Sequence, residues 1–132
     1  MDKERLETIL KENEKHLDEF EQWLVKQEIS NKTIEMHLSH VDTFINDFLC
    51  HDQAYDIVEG MDRVRYFFDD WYPQREYMRR IGVNKYSSSI KKFYQCMLEL
   101  GYIEEDDYED LSLYIKEAKE MWIEVAETIN NI

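Results

Sequence analysis

LDEFEQWLVKQEISNKTIEMHLSHVDTFINDFL, residues 17–49, and IGVNKYSSSIKKFYQCMLELGY, residues 81–102, decide the fold of this chain. In the first, Leu17, Phe20 and Leu24 recur at helical spacing, with Trp23 beside them. Ser30 or Asn31 can accept the free N–H groups that open a second helix at Thr33. That helix buries Ile34, Leu38, Val41, Ile45 and Phe48 and ends near Cys50. The second stretch buries Val83, Ile90, Phe93, Met97 and part of Tyr86 and Tyr94, on a helix spanning about 79–100. Gly101 suits the left-handed position that closes it, with Tyr102 folding back as its hydrophobic partner.

Working outward, Leu6 and Leu10 extend the first helix to about residues 2–28, although Asn13 interrupts their stripe. Its first three turns are highly charged, so they either project beyond the core or pack on the last helix. Residues 51–60 read as a loop. A short third helix presents Met61, Val64, Phe67, Phe68 and Trp71, and Pro73 ends it. After EEDDYED, residues 104–110, comes a fifth helix over about 107–129, with Asp106 and Glu109 spaced as a capping-box variant. Leu111, Tyr114, Ala118, Met121, Val125 and Ile129 mark its apolar side, with Trp122 alongside. The expectation is an all-α protein: a compact orthogonal bundle of about five helices, forming a single domain over 1–132.

Composition supports a packed core. Of 132 residues, 43% are apolar and 14% aromatic, so a net charge of −14 does not make this a disordered acidic tail. Three glycines and one proline leave little turn material for a sheet protein. No uncharged run approaches the roughly 18 residues of a bilayer span. The opening MDKERLE is charged where a signal peptide is apolar, so a soluble, cytoplasmic protein without membrane contact is expected. Cys50 and Cys96 are far apart and form no CxxC, which predicts buried, reduced thiols.

Enzyme signatures are missing. There is no GxGxxG, no GxxxxGK and no HExxH, so no catalytic residue and no cofactor is assigned. His37 and His40 stand three apart on one helix, a spacing that can reach one metal ion. No third ligand accompanies them. We expect His37 beside the apolar stripe, His40 exposed, and no metal site.

Charge is unevenly distributed. Residues 63–98 hold eight basic and three acidic side chains, whereas residues 99–132 hold two and eleven. The central segment is therefore a cationic island in an anionic chain. On the fourth helix, Asn84, Ser88 and Lys91 share one face, with Lys85 and Lys92 as the neighbouring stripe. Such a face suits phosphate and base-edge contacts. An amphipathic helix also carries a polar face for solvation alone, balancing nearby acids.

Residues 15–103 resemble the N-terminal SAM-like, or core-binding, domain of tyrosine recombinases and phage integrases. The resemblance lies in Ser30, Thr33, Ile34, Leu38 and Phe44 across the first two helices. It continues in the run from Gly82 to Lys91, followed by Phe93 and Tyr94. It implies that the second and fourth helices face DNA. Lys32 and Thr33, then Asn84, Lys85, Ser88 and Lys91, become the contact candidates, joined by the neighbouring cations Arg79, Arg80 and Lys92. Departures from the family pattern are Gly82, Tyr86 in place of an arginine, and Glu35 and Asp42 on the second helix. With no HxxR motif, strand cleavage is not expected.

Two functions stay open. One is a non-catalytic module associated with duplex DNA through the fourth helix. The other is an acidic protein-interaction or self-association module that keeps the fold, with Tyr114, Met121 and Trp122 as its contact surface.

Overall fold

Every regular element among residues 1–131, the part described by a computed structural model, is helical. Helix α1 (Lys3–Lys26) starts where the Asp2 carboxylate accepts the N–H groups of Glu4 and Arg5, at 3.0 and 3.2 Å. Helix α2 (Asn31–Asp42) is capped by the Ser30 hydroxyl, which accepts the Thr33 N–H at 3.3 Å, and it runs on as a π-helix, Thr43–Phe48. The first of the two stretches thus folds as its sequence predicts, with the π segment unanticipated.

The middle of the chain departs from expectation. Residues 51–60 are not all loop: α3 (Ile57–Gly60) begins inside them at a capping box. There the Asp56 carboxylate accepts the Glu59 N–H at 2.8 Å and Glu59 returns the contact at 3.1 Å. A 3₁₀ turn, α4 (Val64–Tyr66) and a second π segment, Phe67–Trp71, follow. Pro73 sits in a last 3₁₀ turn, Tyr72–Gln74, where its missing N–H costs nothing.

The predicted fourth helix is two helices. Helix α5 (Glu76–Ile81) stops at Gly82, whose φ of 103° no side-chain-bearing residue adopts readily, and α6 (Val83–Glu99) starts afresh beyond it. At the other end of α6 the expected closure forms. The Tyr102 N–H donates to Met97 O at 2.9 Å and the Gly101 N–H to Leu98 O at 3.0 Å, with Gly101 at φ 83°. Helix α7 (Glu105–Asn130) is preceded by Glu104 without a side-chain cap. The capping box expected of Asp106 and Glu109 does not form, because both lie inside the helix.

The first half of α1 packs on the chain after α2, not on the last helix. Arg5 donates to Ala54 O at 2.9 Å and pairs with Glu59. Asn13, which seemed to break the apolar stripe, is buried and donates to Ile45 O at 3.2 Å and to Asn46 at 2.8 Å. A polar residue whose hydrogen bonds are met inside the core keeps the helix seated there.

Aromatic rings fill the centre. Phe20 meets Phe93 edge to face at 5.5 Å, Phe44 meets Phe67 at 5.3 Å, and Tyr94 OH donates to Ile57 O at 2.7 Å. Gly60 is where two walls touch: a Cβ built on it would lie 2.6 Å from Leu49 Cδ1 and 3.0 Å from Tyr94 Oη. Gly60→Ala is therefore expected to cost about 1–3 kcal/mol by overpacking. Equilibrium urea unfolding checks this, and an unchanged midpoint would show that the Leu49 side chain yields freely.

Candidate polyanion-binding groove

Helix α6 turns Val83, Ile90, Phe93 and Met97 inward, which leaves Asn84, Lys85 and Ser88 exposed and Lys91 and Lys92 half-buried on its outer side. Beside this face lies α7, whose Leu111, Ile115, Ala118 and Trp122 are buried. Lys116 and Lys119 follow directly after Ile115 and Ala118, so they sit at the seam rather than on the far side. Between the helices runs a groove of about 650 Å³ lined by Lys91, Lys92, Lys116 and Lys119, with Asn84, Ser87, Ser88 and Gln95 between them. Glu120 is the single carboxylate among its lining residues.

Four ammonium groups thus meet one acid in a protein of net charge −14. Among the described residues no lysine forms an ion pair; the cations that do are Arg5, Arg65 and Arg80, together with two histidines. Lys85 and Lys91 are not covered by intramolecular carboxylates. The acidic last helix turns its only two lysines toward α6, and of its carboxylates Glu120 alone lines the groove with them.

Other candidates from the sequence go different ways. Lys32 and Thr33 lie at the start of α2, outside the groove, and Thr33 is occupied with Ser30. Arg79 donates to Asn130 at 3.0 Å and to the Pro73 carbonyl, tying α5 to the end of α7. Arg80 pairs with Glu76 at 2.7 Å. Neither arginine lines the groove. On the proposed protein-binding surface, Met121 is 54% exposed, but Trp122 is 3% exposed. Trp122 stacks on Phe68 at 4.3 Å and donates its indole N–H to Asp69 at 2.9 Å. It is a core residue, and Tyr114 is half-buried against it at 5.7 Å.

Sequence reasoning missed Lys116 and Lys119. Their i, i+3 spacing beside buried Ile115 and Ala118 was the available signal, masked by eleven acids in the same segment.

Beneath α6 lies a buried polar knot. His37 Nδ1 and His40 Nδ1 approach the Ser89 hydroxyl at 2.8 and 2.9 Å, and that hydroxyl donates to Lys85 O at 3.0 Å. His40 is buried rather than exposed as the sequence suggested, because α6 covers it and Tyr86 stacks on its ring at 4.5 Å. With its proton on a carbonyl and both lone pairs accepting, Ser89 has no free valence for nucleophilic chemistry. In that arrangement each imidazole donates from Nδ1. Burial, then the neighbouring His37, holds the His40 pKa down to about 4, and burial with Lys92 nearby lowers that of His37.

Cys96 is buried and Cys50 half-buried, both free, and burial raises both thiols, Cys96 to about 12. Neither is poised as a nucleophile at neutral pH. No group of three metal-ligating side chains occurs among the described residues. No helix there is long and apolar enough to cross a membrane.

Comparison with protein-family models, curated proteins and solved structures gives no match to this chain. A functional reading therefore starts from the groove itself.

Proposed function

We propose that the protein is a non-catalytic helical module that associates with DNA through the basic face of α6, extended across the groove onto α7. The observation that carries this reading is the gathering of Lys116 and Lys119 against Lys91 and Lys92, at a polar seam with one carboxylate. Burial of Ile115 and Ala118 fixes where positions 116 and 119 fall, but packing does not require lysine at either. Like charges held together in a concave site raise the local potential for a polyanion. The acidic remainder repels the same ligand at range, but salt confines that effect to roughly 8–10 Å. Asn84, Ser88 and Gln95 supply neutral hydrogen-bond partners for phosphate oxygens between the ammonium groups. The likeness in helix order to recombinase core-binding domains points the same way.

Lys85→Glu with Lys91→Glu and Lys116→Glu is expected to abolish retention of duplex DNA at low salt, with the helical circular-dichroism spectrum intact. For the unaltered chain, four phosphate contacts imply a log–log salt slope of about −3 to −4. Retention by the triple variant, or a slope near zero, would remove the proposal.

A second reading has its own support. Leu113, Met121 and Val125 are exposed on one face of α7, with Glu117 and Glu124 interspersed among them. If duplex DNA is not retained even at low salt, an acidic protein-interaction module becomes the better account.

A further inference from the structure

We propose that a second site, the hollow where the two π-helical segments end, holds a single unpaired guanine base. Thr43–Phe48 and Phe67–Trp71 are both π-helical, and their last residues, Phe48 and Trp71, meet edge to face at 5.5 Å. A π turn carries an extra residue at some cost in hydrogen-bond geometry, and such turns concentrate at functional sites. Here two of them finish against one hollow of about 250 Å³.

Its walls suit a planar heterocycle. The Arg75 guanidinium lies over the Trp71 ring at 3.4 Å, and that of Arg63 over the rings of Tyr66 and Tyr55 at 4.6 and 4.7 Å. Among the described residues neither arginine forms an ion pair. Arg75 spends one N–H on the Trp71 carbonyl at 2.8 Å, and its other N–H groups have no acceptor among those residues. Two donors on this wall, Arg63 Nε and Trp71 Nε1, have no hydrogen-bond partner in the chain. Enclosed N–H groups without an acceptor are rare in folded proteins, and a small turn of the Arg63 or Trp71 side chain would bring these to an acceptor in the hollow.

Two exposed carboxylates, Asp52 and Asp70, complete the rim. They make bare phosphate a poor match, since it would face two acids along with two guanidiniums. Guanine answers both: O6 and N7 accept on its Hoogsteen edge, while the ring N–H and the exocyclic amine donate on its Watson–Crick edge. The arginines take the acceptors and a rim carboxylate takes the donors, with the base stacked on an aromatic or guanidinium plane. Adenine presents an amine where guanine has O6, which sets a donor against the arginines. Base pairing occupies the ring N–H and exocyclic amine that the carboxylate takes, so the base must be unpaired.

This site does not rest on the lysine groove, and a mononucleotide tests it alone. The full chain, labelled with ¹⁵N, is titrated with guanosine monophosphate, adenosine monophosphate and inorganic phosphate while the tryptophan indole resonances are followed. Trp71→Phe assigns the reporter. Guanosine monophosphate should move the Trp71 signal at millimolar concentration, the adenosine nucleotide should need about tenfold more, and phosphate should leave it in place. Asp70→Asn, at an exposed position, should keep the fold and reduce the preference for guanine about tenfold. Equal response to phosphate, equal response to the two nucleotides, no movement with the guanosine nucleotide, or an undiminished preference in Asp70→Asn would each overturn the proposal.

Discussion

Trp122→Ala is expected to cost about 3–5 kcal/mol, the largest loss from any single truncation considered for this chain. The indole is 3% exposed, lies parallel to Phe68 at 4.3 Å between ring centroids, and meets Tyr114 edge on at 5.7 Å. Removing it opens a cavity between α7 and the Phe67–Trp71 segment. It also strips Asp69 of the indole N–H it accepts at 2.9 Å. In a domain of this size, stability totals about 5–15 kcal/mol, so the variant would sit near the edge of folding. Met121→Ala, next door but exposed, should change stability by no more than about 0.5 kcal/mol. Denaturant unfolding of the pair separates the roles. Should the two cost the same, Trp122 is not the anchor of α7, and the packing of that helix on the core is misdescribed. The comparison also guards the interaction hypothesis: partner loss on Met121→Ala would report a surface, whereas partner loss on Trp122→Ala would report unfolding.

Acidification should weaken the α2–α6 contact next most strongly. His40 has its pKa held down to about 4 from 6.5, so the unfolded chain binds a proton that the folded chain refuses across that interval. Stability therefore falls as pH drops from about 6.5 to about 4, by about 3 kcal/mol from His40 alone, with the change complete below its folded value. His37, lowered for the same reason, acts in the same direction. Protonation would also set an imidazolium beneath Lys85 and Lys92, the cations that lower these groups further. Asp47, raised by burial and by Asp42, works the other way, since its folded form takes up a proton more readily. Urea unfolding across pH, repeated on His40→Asn, measures the term: the pH slope should shrink in the variant. A wild-type midpoint that is flat over this range would refute the assignment of two neutral imidazoles sharing one hydroxyl.

Much of the architecture is written locally. Period and caps foretell α1 and α2 through Leu17, Phe20, Leu24 and Ser30, and Gly101 with Tyr102 foretells the end of α6. The capping box at Asp56 and Glu59 was equally legible, but a polar stretch around it suggested loop. Gly82 was not legible as a break. An isolated glycine inside a helical pattern is compatible with either helix or stop, and only its φ of 103° decides. Likewise His40 and Asn13 read as exposed or interrupting because polarity alone was visible, whereas Tyr86, Ser89 and Ile45 supply their burial and partners.

By itself, the order of residues determined an all-helical chain, its caps and stops at Ser30 and Gly101, and a cationic centre between acidic flanks. Those properties depend on neighbours a few positions away, through hydrogen bonds and side-chain period. Tertiary packing decided that Trp122 belongs to the core and that Lys116 and Lys119 close on Lys91 and Lys92 across a groove. It decided them because the rotation of α7 is set by which surface best buries Leu111, Ile115, Ala118 and Trp122, and that surface is made by residues distant in the chain.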